Sequence, residues 1–170
     1  MAEIIKVYKQ AIPAVRFIGK VEPNGGGGWG EWFGNGWFDV IEKAAGGEAT
    51  VHALYEDGDA YLGMLHLSKD FNTLAYWIGM FVAPDTEVPD GFQSMDYPAQ
   101  NIGVCWVQGK DLDDIMSQFR YVREKLGEAG MEIIYEEDGS FWSTERYQCP
   151  RYTTPDENGN IIVDVYYFVK

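Results

Sequence analysis

Two amphipathic helices, one in each half of the chain, constrain the fold more than any other feature of the sequence. Residues 36–45 are predicted to form the first helix, with Asn35 as its N-cap. Asp111 is predicted to cap the second helix, residues 112–127. Apolar residues recur at helical spacing in both segments: Trp37, Val40, Ile41 and Ala44, then Leu112, Ile115, Met116, Phe119, Val122 and Leu126. Each helix therefore has one face that must pack against another layer.

Predicted strands precede and follow both helices. They span residues 4–8, 14–18, 50–55, 60–67, 73–82, 99–107, 132–135, 141–148 and 161–169. The order of a strand, a helix and further strands thus occurs twice. We predict one α+β domain, residues 1–170, built from tandem strand–helix–strand–strand halves that share an antiparallel sheet. Two helices would lie on one face, and a ligand cleft would lie on the opposite, concave face between the halves.

The composition is typical of a cytoplasmic protein with a full apolar core. Hydrophobic residues make up 46% of the chain, and the only cysteines are Cys105 and Cys149, which fits a reducing compartment. No apolar run reaches about 18 residues, and the N-terminus lacks the pattern of a secretory signal. We therefore expect a cytoplasmic location and no membrane partner.

The net charge limits the classes of partner. A formal charge of -14 repels nucleic acid, whose affinity for proteins comes mainly from basic side chains on phosphates. The same charge raises the local concentration of cations. We expect no direct nucleic-acid partner and a weak preference for cationic ligands, while a protein partner stays open.

No cofactor or metal is expected from the motifs. The glycines of residues 25–30 formally match the dinucleotide fingerprint, but no βαβ unit surrounds them. His52 and His66 lie on separate predicted strands and far from the cysteines, so no zinc pattern occurs. Cys105 is either a nucleophile beside one of these histidines or an inert thiol buried in its apolar run.

A carboxylate among aromatic side chains is the strongest candidate for function. In a strand over residues 141–147, one face carries Phe141, Ser143, Glu145 and Tyr147. Glu145 then either holds a flat organic cation against the rings or acts as an acid or base with a raised pKa. The alternative is a solvated edge residue that pairs with Arg146 or Arg151.

Aromatic residues make up 15% of the chain, more than a core needs. The glycine-rich loop of residues 23–28 precedes Trp29, Trp32 and Phe33, so this segment is either a mobile flap over a pocket or a connector packed on the body. Asp164, in the last strand, is either a second pocket carboxylate or a residue that faces solvent.

Short motifs in a fixed order resemble the GyrI-like small-molecule-binding domain family, which also supplies the effector domains of BmrR and of some AraC-type regulators. They are Pro13-Ala14 with Gly19, Tyr76-Trp77-Ile78-Gly79, Val88-Pro89-Asp90-Gly91 leading to Tyr97-Pro98-Ala99, Gly109-Lys110-Asp111-Leu112, Glu145-Arg146-Tyr147, and residues 164–170. The resemblance covers nearly the whole chain. Two departures are Phe168, where the family usually has proline, and the glycine- and tryptophan-rich tract of residues 25–37.

This resemblance implies a pocket at a pseudo-twofold junction for lipophilic aromatic cations, with Glu145 facing the cation and Tyr147 on the same face. It also implies a stand-alone domain, since no DNA-binding motif precedes residue 4. The predicted ligand-binding residues are Glu145, Tyr147, Phe141, Trp77, Trp106, Trp37, Tyr97 and Asp164.

Three functions are compatible with these features. The first is binding of flat lipophilic cations. The second is hydrolysis of electrophilic, cyclopropane-bearing natural products, as in some stand-alone relatives, with Glu145 and Tyr147 as catalytic residues. The third is inhibition of a DNA-acting enzyme by the acidic segments 56–59 and 136–138, which are otherwise solvated turns.

Overall fold

The computed structural model describes residues 1–23 and 28–170, so the predicted loop of residues 23–28 and the motif of residues 25–30 lie largely outside the described residues. The strands are β1 Glu3–Ile12, β2 Val15–Glu22, β3 Tyr61–Leu67, β4 Leu74–Val82, β5 Gln93–Tyr97, β6 Gln100–Gly109, β7 Phe141–Tyr147 and β8 Ile161–Val169. The helices are α1 Trp29–Gly34, α2 Trp37–Ala44, α3 Glu48–His52, α4 Leu112–Met116 and α5 Phe119–Glu128.

The eight described strands form one antiparallel sheet in the order β1-β6-β8-β7-β3-β4-β2-β5. One half consists of β2, the helices α1 to α3, β3 and β4, and the other of β6, α4, α5, β7 and β8. The halves join where β7 pairs with β3. The predicted α+β class with tandem halves and one antiparallel sheet is therefore confirmed.

The connection between β1 and β2 forces the sheet to curl. The two strands lie six places apart in the sheet order, which is about 29 Å in a flat sheet. The chain from Ile12 to Val15 can span only about 11 Å. The ring of Tyr97 in β5 accordingly lies 5.2 Å from the ring of Phe168 in β8, across the inside of the curl.

Side chains from both halves fill the concave face. Its buried cluster includes Ile12, Val15, Phe17, Phe81, Val104 and Tyr166. The helices pack on the convex face over two further clusters, one under α1 to α3 and one under α4 and α5. A cavity between these two helical groups lies directly over the junction of β7 and β3.

Several element boundaries differ from the sequence prediction. Asp111 caps α4 as predicted, because its carboxylate accepts from the Asp114 amide at 2.8 Å. The cap of α2, in contrast, is the left-handed Gly36 and not Asn35. The predicted helix 112–127 is divided into α4 and α5. None of the described helices is long and apolar enough to span a bilayer.

Two predicted strands are absent from the described structure. Residues 50–55 belong to α3 and the turn that follows, because Val51 packs into the core under the helices. Tertiary packing here overrides the β-propensity of the segment. Residues 132–135 form only an isolated bridge, between Ile133 and Val169. The edge strand β5 was not predicted.

Candidate functional site

Glu145 lies at the centre of the junction between the halves. It pairs with Gly63 across the two strands, and its side chain faces the helices. Its Oε2 accepts hydrogen bonds from the Tyr147 hydroxyl at 2.7 Å and from the Tyr76 hydroxyl at 2.8 Å. Only 6% of the residue is exposed, so the interpretation as a solvated edge residue is wrong.

Burial raises the pKa of Glu145 above its ordinary value, and the hydrogen bonds from Tyr147 and Tyr76 offset this only in part. Among the described residues, Glu145 forms no salt bridge. Arg146 and Arg151, the partners considered from the sequence, instead pair with Asp164 on the opposite face. An ionised Glu145 is thus a buried charge held by neutral donors.

Trp29 packs against both tyrosines that bind the carboxylate, and it lines a cavity. Its indole Nε1 donates to the Tyr76 hydroxyl at 3.1 Å, which extends the chain of donors that ends at Glu145. Its ring meets that of Tyr147 edge-on at 4.9 Å and lies 5.9 Å from Phe38. The sequence placed Trp29 in a flap or connector, and in this structure it packs on the body.

Two neighbouring cavities open beside this group. The first is aromatic, has a volume of about 280 Å³, and its walls include Trp29, Phe33, Tyr61, Leu112, Tyr147 and Tyr152. The second is acidic and has a volume of about 240 Å³. Both are lined by Tyr61, Tyr147 and Cys149. The Glu145 carboxylate lies one hydrogen bond behind the Tyr147 wall that they share.

The structure brings together only some of the predicted site residues. Glu145 and Tyr147 are in direct contact. Phe141 faces the helices as well but packs in the core under α4 and α5. Trp37 packs edge-on against Trp32 at 5.5 Å and is covered by Lys20, so it belongs to the core under α1 to α3.

The other predicted residues lie on the concave face, on the opposite side of the sheet from Glu145. They are Trp77, Tyr97, Trp106 and Asp164. Successive side chains of a strand point to opposite faces, so Tyr76 and not its neighbour Trp77 reaches Glu145. Strand alternation could have identified Tyr76 only if the pairing of β4 with β3 had been known.

Asp164 is neither a pocket carboxylate nor exposed to solvent. Its exposed fraction is 0%, and its two oxygens accept from Arg146 Nε at 2.7 Å and from Arg151 Nε at 2.8 Å. Asp57 completes this network, since it accepts from Arg151 at 2.9 Å. The interpretation of Asp164 as a residue that faces solvent is therefore wrong, and in this structure its carboxylate forms ion pairs with Arg146 and Arg151.

Gly63 provides the space that the carboxylate and Tyr76 occupy. A Cβ atom at this position would lie 2.2 Å from the Tyr76 hydroxyl oxygen and 2.7 Å from Glu145 Oε2. We expect Gly63→Ala to displace both groups and to destabilise the fold by about 1–3 kcal/mol. Urea unfolding would measure the change in the free energy of unfolding. Unchanged stability of the Gly63→Ala protein would contradict this role.

Comparison with known proteins agrees with the fold. No protein-family model matches the chain, and no curated protein matches it significantly. Among solved structures, a candidate transcription regulation protein from Staphylococcus aureus MU50 matches with a TM-score of 0.58 and 15% identity, over 98% of this chain and 99% of the other.

Two further structures match over nearly their full lengths. SAV2435, in a structure bound to tetraphenylphosphonium, has a TM-score of 0.56 and 15% identity, over 98% of this chain and 94% of the other. The C-terminal domain of EcmrR has a TM-score of 0.52 and 12% identity, over 97% of each chain. At these identities the likeness shows that this chain shares their fold.

Proposed function

We propose that this protein is a cytoplasmic small-molecule-binding domain of the GyrI-like type, and that it binds lipophilic aromatic cations at the junction of its halves. The observation that carries this proposal is a buried Glu145 whose hydrogen bonds come from neutral tyrosines, behind the wall of an aromatic cavity. A buried carboxylate without a positive partner is costly, and a bound cation would compensate it. Each aromatic face would add about 0.5–2 kcal/mol of cation–π attraction.

The structure of SAV2435 with tetraphenylphosphonium supports this choice of ligand class, because a protein of the same fold holds a lipophilic aromatic cation. The cavity beside Trp29 has a volume of about 280 Å³, just below the range of about 300–1,000 Å³ that is typical for drug-sized ligands. Displacement of the Trp29 side chain would enlarge it and bring the ligand against Glu145.

A fluorescence titration tests the proposal. Tetraphenylphosphonium should change the tryptophan emission in a saturable way, since Trp29 lies on the cavity wall, and Trp29→Phe should remove most of this change. Triphenylphosphine oxide, a neutral compound of similar shape, should bind at least about tenfold more weakly. Equal affinity for both compounds would contradict a cation site.

Lowering the pH through the raised pKa of Glu145 should weaken cation binding, because the neutral acid has no charge for the ligand. Affinity should fall by up to about tenfold per pH unit below that pKa. The raised pKa also affects folding stability. Because burial favours the protonated acid, protonation of Glu145 stabilises the folded protein. This stabilisation is complete below about pH 4.3, the ordinary pKa of glutamate, and is lost as the pH rises through the raised pKa of Glu145 in the folded protein. Ligand titrations at several pH values across this range should show the loss of affinity in the native protein and no such pH dependence in Glu145→Gln.

Hydrolysis with Glu145 as the general base is less well supported. A base must reach a water within hydrogen-bond distance, whereas Glu145 is only 6% exposed and its Oε2 already accepts from Tyr147 and Tyr76. Turnover of a cyclopropane-bearing substrate that disappears in Glu145→Ala would favour the hydrolase over simple binding.

Partner inhibition by phosphate mimicry also has less support. In the segment 56–59, Asp57 pairs with Arg151 and Asp59 accepts from His52. In the segment 136–138, Glu136 accepts from the Ser140 hydroxyl and Asp138 accepts from the Ser140 backbone amide. These carboxylates order their own turns, which favours a structural role for them.

A further inference from the structure

Another cavity opens along the edge strand β1, on the concave face and thus on the opposite side of the sheet from Glu145. Its volume is about 380 Å³, within the range that is typical for small-molecule ligands. Trp106, which the sequence predicted to bind ligand, forms part of its wall. The other residues of the wall are Lys6, Tyr8, Lys9, Gln10, Glu56, Asp57 and Arg151.

The ion network around Asp164 accounts for most of the charges at this cavity. Arg151 donates to Asp57 at 2.9 and 3.2 Å and to Asp164 at 2.8 Å. Arg146 donates to Asp164 at 2.7 Å. Two guanidinium groups and two carboxylates thus compensate one another. Among the described residues of the wall, this leaves one acidic side chain outside the network, the exposed Glu56.

Lys6 and Lys9 bring two positive charges to the wall without a carboxylate partner. Among the described residues neither forms a salt bridge, although the chain has 27 acidic residues. The Lys6 ammonium lies 4.2 Å from the ring centre of Trp106 and 4.7 Å from that of Tyr8, which holds it at the cavity. The Lys9 ammonium donates to the carbonyl oxygen of Lys170 at 2.9 Å. Both ammonium groups therefore keep unused hydrogen-bond donors.

The Tyr8 hydroxyl is a further donor in the same wall. It accepts from Trp106 Nε1 at 3.2 Å and from Arg146 Nη2 at 3.0 Å, and both of these groups can only donate. Its own proton cannot go to either of them, and no other described residue accepts it. Burial raises the pKa of this hydroxyl above its ordinary value, so it keeps the proton at neutral pH. Unused donors and two ammonium groups suit an oxyanion, whose oxygens only accept.

We infer that this cavity binds a small organic oxyanion, a carboxylate or a phosphate monoester, between Lys6, Lys9 and the Tyr8 hydroxyl. The net charge of -14 opposes the unspecific binding of anions, so an anion bound here is held by this local group of donors. The inference goes beyond the proposed cation site and is independent of it, because the sheet separates the cavity from Glu145.

Phenyl phosphate, benzoate and the neutral benzamide are matched probes for this site. The indole N–H signal of Trp106 in the NMR spectrum, assigned by its absence from Trp106→Phe, should shift in a saturable way with one or both anions. The anion that binds better should bind about tenfold or more tightly than benzamide. Tighter binding of phenyl phosphate would identify a phosphate site, and tighter binding of benzoate a carboxylate site. Equal affinity for all three compounds, or no shift with either anion, would overturn the inference.

Variants of the donors test which groups hold the anion. Lys6→Gln and Tyr8→Phe should each weaken binding of the preferred anion by about fivefold or more, with circular dichroism showing folded proteins. Lys69→Gln, an equal charge change at an exposed residue outside the cavity, should leave the affinity within about twofold. Glu145→Gln should leave it unchanged as well. An equal loss in Lys6→Gln and Lys69→Gln would mean that net charge alone attracts the anion, which would contradict a site at this cavity.

Discussion

Replacing Glu145 by glutamine should lower the affinity for tetraphenylphosphonium by about 10- to 100-fold, which corresponds to about 1.5–3 kcal/mol. The substitution keeps the size of the side chain and an oxygen that can accept from Tyr76 and Tyr147. It removes only the negative charge that would face the cation. Calorimetric titration of the native and variant proteins measures the difference directly.

If Glu145 acts as a counter-charge, its replacement by glutamine should weaken the binding of cations but not of neutral ligands. Triphenylphosphine oxide should bind native protein and Glu145→Gln within about twofold, because ring stacking is unchanged. Glu87→Gln provides the matched control for net charge, since Glu87 is exposed and lines neither junction cavity. A similar loss of affinity for the charged and the neutral compound would mean that Glu145 shapes the pocket without acting as a counter-charge.

Asp164→Ala should destabilise the protein by about 3–5 kcal/mol, because it leaves the buried guanidinium of Arg146 without its main partner. Both side chains are at most 1% exposed, so water cannot replace the lost carboxylate. Asp57, at 3.6 Å from Arg146, can compensate only in part. Urea unfolding monitored by circular dichroism gives the change in the free energy of unfolding.

An exposed ion pair of the same type supplies the comparison. Asp96 lies 2.7 Å from Arg16, but its side chain is 63% exposed. Asp96→Ala should therefore cost only about 0–1 kcal/mol. An equal loss of folding stability in Asp164→Ala and Asp96→Ala would show that the buried ion pair of Asp164 stabilises the fold no more than an exposed one. The structural role assigned to Asp164 would then be wrong.

Local sequence patterns predicted several elements well. The boundaries of β8 followed from its run of strand-forming residues, and the alternation of side chains along β7 placed Glu145 and Tyr147 on the same side. The stripe of α5 was recognisable from its helical spacing, and Val122 and Leu126 are buried in the core. Local patterns sufficed for these features because each depends only on neighbouring residues.

The position of the site depended on contacts between distant parts of the chain. The curl of the sheet follows from the short connection between Ile12 and Val15 together with the strand order, and the latter is not visible in the sequence. This curl packs a buried cluster onto the concave face, and the candidate site lies among the helices. The contact of Tyr76 with Glu145, across 69 residues, likewise required knowledge of strand pairing.

The central claim is that a lipophilic cation binds against Glu145 at the junction of the halves. A crystal structure of the protein with tetraphenylphosphonium tests it most directly. We expect the phosphorus atom within about 6 Å of the Glu145 carboxylate, with the Trp29 ring moved aside to admit the ligand. A ligand that lies instead on the concave face beside Trp77 or Trp106, with Trp29 still hydrogen-bonded to Tyr76, would contradict this account.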